Sequence, residues 1–447
     1  MLVNGHKMIT KKILFLLLLV AFQLSAQEKK WTLEECVDYA IKNNVSIKQS
    51  ELDLKISDIE KLEAVGGFLP SLNANANYSV NTGASINPVT NQFQNETFKS
   101  FSASANSSIN LFSGLSNWKT LQRAKLSKIA NSYRLDKMKD DIALSVANSY
   151  LQILFNKEQL KVQKNQNLIT KDNLTRTQQL IDAGSVPAGD IFELQATDAT
   201  QEQQIISTEN ALLISKIALC QTLLIQDYAT FDISDEEIDL PLSNVSNESQ
   251  AAILAKAKES VKDVKIAISN VDLAKKSVQI SRSSYLPTLT GFIGYNTRWS
   301  ESAPLNFADQ LSLFDGTGIG LQLNIPILNG LRTRAGVQRA KVSQERAEYQ
   351  LKQSELDLER NVYQAYNDVT NAKKSFEAAT KTLEARKQAY NFSKERYDVG
   401  LLNAFDFSQA TNAFENAQSE VLRTKYDSIF KVKVVEFYFG IPITANN

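Results

Sequence analysis

Two short stretches place acidic side chains just behind a glycine. Residues 181–193 read IDAGSVPAGDIFE and residues 397–409 read YDVGLLNAFDFSQ, so Gly184 stands opposite Gly400, Asp190 opposite Asp406 and Glu193 opposite Gln409, 216 residues apart. Glycine lets a helix end in a left-handed turn. Asp followed three residues later by Glu or Gln resembles a capping box at the start of the next helix. The chemistry these residues offer is hydrogen bonding to orphan backbone amides, with a local negative charge. Catalysis has little to draw on: His6 is the only histidine, and no phosphate loop or nucleophile motif occurs. Cys36 and Cys220 lack metal-ligand spacing. They read as small buried residues, although an exported chain would permit a disulfide. No cofactor or metal site is expected.

Residues 1–26 carry Lys7, Lys11 and Lys12, the apolar run ILFLLLLVAF, and LSA at a cleavage position. That is the plan of a secretory signal peptide, and it would take His6 with it. The run is too short to cross a bilayer, and no later segment approaches ~18 consecutive apolar residues. Gln27, not Cys, follows the cleavage point, which argues against a lipid anchor. Without residues 1–26 the chain keeps 46 basic against 49 acidic residues, a net charge of −3. Nothing suggests nucleic acid.

The repeat at the two glycines extends through the chain. FLPSLNANANY at Phe68 pairs with YLPTLTGFIGY at Tyr285, and GLSNWKTLQRAK at Gly114 pairs with GLRTRAGVQRAK at Gly330. Self-similarity at so long an offset marks a duplicated unit, not a solenoid. The division is a first repeat at 27–230, a connector at 231–248, a second repeat at 249–440 and a tail at 441–447.

Each repeat mixes two periodicities. Val146, Ile153, Leu160, Asn167, Leu174 and Ile181 recur every seventh residue, as do Val362, Val369, Phe376, Leu383, Tyr390 and Tyr397. Sustained heptads mean coiled-coil packing. After the breaks, Ile191, Ile205, Leu212 and Leu219 keep the spacing, as do Phe407, Phe414, Val421 and Val435; Asp198 and Ser428 are polar exceptions. Period two marks the strands instead. Leu72, Ala74, Ala76, Tyr78 and Val80 alternate with Asn73, Asn75, Asn77 and Ser79, and Phe101 to Leu111 alternate likewise. Leu289–Trp299, broken by Phe292, and Gly318–Ile325 complete two strand hairpins, 68–112 and 286–326. Strands of about 9 to 12 residues suit a tilted membrane crossing. An ordinary soluble hairpin is the competing reading. The uncharged Asn/Ser face and the aromatic residues near both ends (Tyr78, Phe101 and Trp299; Phe68, Phe112 and Tyr285) favour the membrane.

Helices are expected over 31–65, 115–182, 190–225, 249–283, 331–398 and 404–438, with 81–98 as a loop. The long pair would each reach about 100 Å at ~1.5 Å per residue. Two shorter ones end to end match one long one, so each repeat would be a two-helix rod below its strands, with the break at Gly184 farthest from the membrane. The repeat starts, the connector and the C-terminus would gather at mid-height as an equatorial belt. Four strands cannot close a barrel and lipid tolerates no open edge, so the chain must oligomerise; eight strands from a dimer would suffice arithmetically.

The duplicated strand hairpins, the long heptad helices, Gly114-Leu115 and Gly330-Leu331 at the strand-to-helix junctions, and the paired G-x-x-x-x-x-D turns resemble the TolC-like outer-membrane efflux proteins of Gram-negative bacteria. The resemblance implies an α+β membrane protein: a homotrimer whose four strands per subunit form a 12-stranded β-barrel in outer-membrane lipid, continuous with a periplasmic coiled-coil α-helical barrel. It implies a passive channel of a tripartite efflux or type I secretion system. Its partners would be a periplasmic adaptor (membrane fusion) protein docking at the hairpin tips and an inner-membrane RND pump or ABC exporter. An exported structural or adhesive coiled-coil protein is the alternative, which leaves the strands unexplained.

In such a trimer Asp190 and Asp406 would gather at the closed end as a cation-favouring ring, or simply cap their helices. Tyr397 falls where family members tie the inner hairpin shut, and also on the sevenfold seam. Leu402 stands where a gating Arg is expected, and Gln409 where a second Asp is expected.

Overall fold

A computed structural model describes residues 30–86, 90–235 and 248–442. The expected signal peptide, Pro88, Pro241, most of the connector and residues 443–447 lie outside the described residues. Two compact units emerge, each drawing on both repeats.

One unit comprises residues 50–135 and 262–356. Its centre is a four-stranded antiparallel sheet ordered β2-β3-β5-β6, with β2 at Ser71–Ile86, β3 at Phe93–Ser113, β5 at Thr288–Ser300 and β6 at Gly316–Asn324. The alternating pattern fixes the register, because a slip of one residue would exchange the two faces. Tyr78, Phe101 and Trp299 form one cross-strand row, and Ile109, Gly291 and Leu321 another. On the opposite face Asn75, Ser104, Asn296 and Gly316 share a row.

Three features depart from the sequence expectation. β2 and β3 run on through most of 81–98, where a loop was expected, because Thr82↔Thr97 and the flanking pairs continue the ladder. The register shifts between Asn110 and Phe112, so Leu111 is the extra residue of a β-bulge and Phe112 pairs with Leu289 on the apolar face. A short helix at Phe307–Leu313, absent from the expected elements, is held against β5 by Gln310, which is fully buried, accepts from Ser300 N at 2.9 Å and donates to Ser300 O at 3.0 Å.

Both strand-to-helix junctions need two consecutive left-handed residues: Gly114 and Leu115 at φ 62° and 69°, Gly330 and Leu331 at 59° and 63°. The leucines each bear roughly 1–2 kcal/mol of strain there. Gly114 is further constrained, since a Cβ would lie 2.6 Å from Ser283 O, whereas Gly330 faces open space.

The other unit comprises the described residues up to 49 together with 136–261 and 357–442. We number the helices in chain order: α1 (Leu33–Asn43), α2 (Val45–Gly66), α3 (Ser116–Asp182), α4 (Asp190–Leu223), α5 (Gln250–Ser260), α6 (Lys262–Ser283), α7 (Phe307–Leu313), α8 (Arg332–Asp398) and α9 (Ala404–Phe439). α3 and α8, each 67 residues long, contribute to both units. The single helices expected over 31–65 and 249–283 are each broken, at Asn44 (ψ 134°) and at Val261 (ψ 131°). Asn44 turns its side chain outward from its own helix: it donates to Thr222 O at 3.0 Å and accepts from Ser46 N at 2.9 Å.

Val146, Tyr150, Ile153 and Leu154 of α3 form the helical core with Cys36, Val37 and Ala40 of α1 and Leu219, Cys220 and Leu223 of α4. Both cysteines are buried and neither forms a disulfide, and burial pushes the Cys220 thiol up to about 11. Beside them, β1 (Lys30–Trp31) pairs in parallel with β4 (Asp232–Ile233). The Tyr150 hydroxyl donates toward Trp31 O and Ser234 O, each at 3.3 Å, and Asp232 lies 2.9 Å from both Lys157 and Lys216. Among the described residues no helix is long and apolar enough to cross a membrane.

Candidate functional site: the paired helical turns

Both glycine turns lie in the helical unit, and both close α-helices in the same way. Gly184 and Gly400 each adopt φ 73°. Ser185 N donates to Leu180 O and Leu401 N to Arg396 O, each at 2.8 Å, while Gly184 and Gly400 donate back three residues. That is the Schellman arrangement, and it satisfies two orphan carbonyls per helix.

The helix starts that follow differ from one another, and neither matches the expected Asp cap. α9 begins with Asn403 as N-cap: its side chain accepts from Asp406 N at 2.8 Å and donates to the Asp406 carboxylate at 3.0 Å. Asp406 is therefore the third helical residue, bonded to the cap's side chain rather than serving as the cap. At the 216-residue offset the position of Asn403 is held by Pro187, which offers no side-chain acceptor. The chain takes an extra turn, Gly189 becomes N-cap without a side-chain bond, and Asp190 is the first residue of α4. Its charge still favours the helix N-terminus. Glu193 is half-buried, and Gln409 is exposed.

Tyr397 is buried, and its hydroxyl lies 2.6 Å from Thr177 Oγ1. Thr177 spends its own proton on Asn173 O at 2.8 Å, so Tyr397 is the donor. The ring stacks on Phe407 at 4.5 Å with 6° between planes, and Tyr390 stacks on Phe414 at 5.1 Å. Burial raises the Tyr397 hydroxyl above its ordinary range, and the charges of Asp190 and Asp398 act in the same direction. Tyr397 thus serves on the heptad seam and also ties α8 to α3. Arg176 lies 3.3 Å from Asp398 alongside. Leu402 packs against the same aromatic cluster, with Leu194 and Ala404 buried in it.

Sequence reasoning missed a polar seam. Asn156, Gln159, Gln166, Asn167, Thr170, Asn173 and Thr177 are all buried along one face of α3. Their recurrence at steps of three, four and seven residues, with Gln166 beside Asn167, was the available signal, masked by the apolar heptads beside them. Asn167 donates to Asp198 at 2.7 Å, which explains that exception to the heptad. Gln201 of α4 donates to Glu415 of α9 at 2.6 Å, and Thr197 meets Ser408 at 2.9 Å. Burial pushes the Glu415 carboxyl up to about 7 against the opposing effect of the Gln201 bond. Among the described residues no group of His, Cys, Asp and Glu could hold a metal ion.

The model of the family described as outer membrane efflux protein matches residues 36–223 and 253–429. A curated relative, outer membrane protein TolC of Vibrio cholerae, is 23% identical over 277 residues, spanning 61% of this chain and 60% of that protein. Solved structures share the fold. A membrane protein from Pseudomonas aeruginosa superposes with a TM-score of 0.77 at 16% identity, covering 91% of this chain and 93% of the other. VceC from Vibrio cholerae gives 0.75 at 15%, over 92% and 96%. The CmeC outer membrane channel of Campylobacter jejuni gives 0.76 at 16%, over 93% and 87%.

Proposed function

Because this chain belongs to the outer membrane efflux protein family, we propose that it is a passive export duct of the Gram-negative outer membrane, with no reaction of its own. The observation that carries this is the sheet. Leu72, Ile319, Leu321 and Leu323 on its apolar face are 76%, 82%, 69% and 60% exposed, a face suited to lipid. The other face is built mostly from Asn, Ser, Thr and Gly, with Gln322, Arg298 and two phenylalanines, Phe98 and Phe292, among them, and suits water. β2 and β6 are edges of this sheet, and a free edge is not viable in lipid. Further copies of the chain supply the missing pairing, three giving a 12-stranded barrel. Leu52, Ile56, Ile59 and Leu62, spaced along one side of α2 and each more than half exposed, support the same assembly.

The glycine turns form the closed periplasmic end, where an adaptor protein and an inner-membrane RND pump or ABC exporter engage. The Tyr397–Thr177 bond and the Arg176–Asp398 pair hold the end shut, with Asp190 and Asp406 as its charged rim.

The test is purification from outer membranes followed by planar-bilayer recording. We expect heat-modifiable trimers that conduct ions. A soluble, non-conducting product overturns the duct.

A further inference from the structure

The polar face of the sheet carries two apolar side chains among its described residues: Phe98, which is buried, and Phe292, which is exposed. The row of Phe292 is Ser71, Ser108, Phe292 and Gly320; the neighbouring rows are Asn73, Asn106, Gly294 and Gly318, and Asn110, Thr290 and Gln322. An isolated ring in such surroundings would ordinarily stand up from the sheet. Here it does not, because the cross-strand neighbour has no side chain. A Cβ added at Gly320 would lie 2.7 Å from Phe292 Cζ and 3.1 Å from a second ring carbon, so the ring occupies the space above the glycine backbone. Asn106 does the same over Gly294, where a Cβ would lie 2.6 Å from its Oδ1. Gly318, next on the same face of β6, has nothing within 4 Å of its Cβ position. Phe292 remains 45% exposed, an accessible aromatic surface framed by hydroxyls, amides and bare backbone.

Resting on the duct reading, which makes this face the channel wall, we propose that Phe292 is the contact at which the wall favours flat aromatic solutes, and that Gly320 keeps the bore open by letting the ring lie down. A bare β-strand backbone gives an aromatic solute little to stack on. A ring lying along the wall offers its face, and aromatic pairs gain free energy from stacking beyond the area they bury. The competing explanation is that Phe292 only shields the glycine backbone, a known stabilising device in sheets. That role changes trimer stability but not solute discrimination.

The experiment uses full-length trimers in planar bilayers, with tetramethylammonium and benzyltrimethylammonium as cations of equal charge, one without and one with a ring. Wild type is expected to show longer current blocks by the aromatic cation. Phe292→Ser should erase the difference between the two cations. Gly320→Ala should lower conductance by forcing the ring upright, Gly318→Ala should leave it unchanged, and Gly320→Ala with Phe292→Ser should restore it. A wild type that does not conduct overturns the duct reading. A conducting wild type whose aromatic block survives Phe292→Ser, or whose conductance falls equally in Gly318→Ala and Gly320→Ala, overturns this inference alone.

Discussion

From Gly184 the chain takes six residues to reach the first helical position, Asp190, whereas from Gly400 it takes four to reach Ala404. The two turns match glycine for glycine and aspartate for aspartate in sequence, and their helices end identically. They part in how the next helix begins, where Asn403 caps α9 and Pro187 offers nothing to α4. The second turn also stacks three aromatic rings, Tyr397, Phe407 and Tyr390, where the first presents Ile181, Ile191 and Leu174. The chain takes the same route into both turns, and side chains add a cap and an aromatic stack to the second that the first does not have.

The largest test of that difference compares Phe407→Ala with Ile191→Ala, its counterpart. Phe407 is 1% exposed between two rings, so its loss should cost ~3–5 kcal/mol, against at most ~2 kcal/mol for the half-buried Ile191. Chemical denaturation of the trimer measures both, and equal losses would erase the asymmetry.

Glu415 gives the next effect. Its carboxyl rises from 4.5 to about 7 in the fold, so the folded chain holds this proton more tightly than the unfolded one. Its contribution is most favourable below the unfolded value, declines as pH rises from about 4.5 to 7, and stays at the lower level above. Thermal midpoints of wild type should therefore fall relative to Glu415→Gln across that interval. Parallel curves would mean that Glu415 ionises normally.

Removing the cap with Asn403→Ala should cost ~1 kcal/mol. Pro187→Asn should bring a side-chain cap to the first turn and slow its amide exchange. If Asn403→Ala leaves exchange around residues 404–407 unchanged, the cap contributes nothing to the second turn's rigidity. The smallest stability change, a few tenths of a kcal/mol, is expected for Asp190→Asn with Asp406→Asn. That double variant should nonetheless lose cation selectivity and divalent block. Unchanged conduction would leave the two carboxylates only their helix-terminus role.

Both strand hairpins, both long helices and both glycine turns were legible in the sequence, because alternation, heptads and left-handed glycines are local patterns that neighbouring residues express together. The cap assignment failed for a physical reason: Asp and Asn are both good N-caps, and which one serves depends on where the chain leaves the turn. The breaks at Asn44 and Val261 were hidden because neither is proline or glycine. Asn44 becomes a break only when Thr222, far along the chain, accepts its amide.

What the sequence alone determined, then, is periodicity: which residues share a face, and that the chain is duplicated. Tertiary structure decided what each face meets. The Gln, Asn and Thr positions of α3 became a buried seam because α4 and α9 bring matching polar groups, Ser215, Asp198, Gln201 and Ser419, into reach. Phe292 interrupts the alternation in sequence, yet on the sheet it fits, because β6 sets a glycine beside it. Burial and clearance are properties of pairs of residues distant in the chain, and no local pattern encodes them.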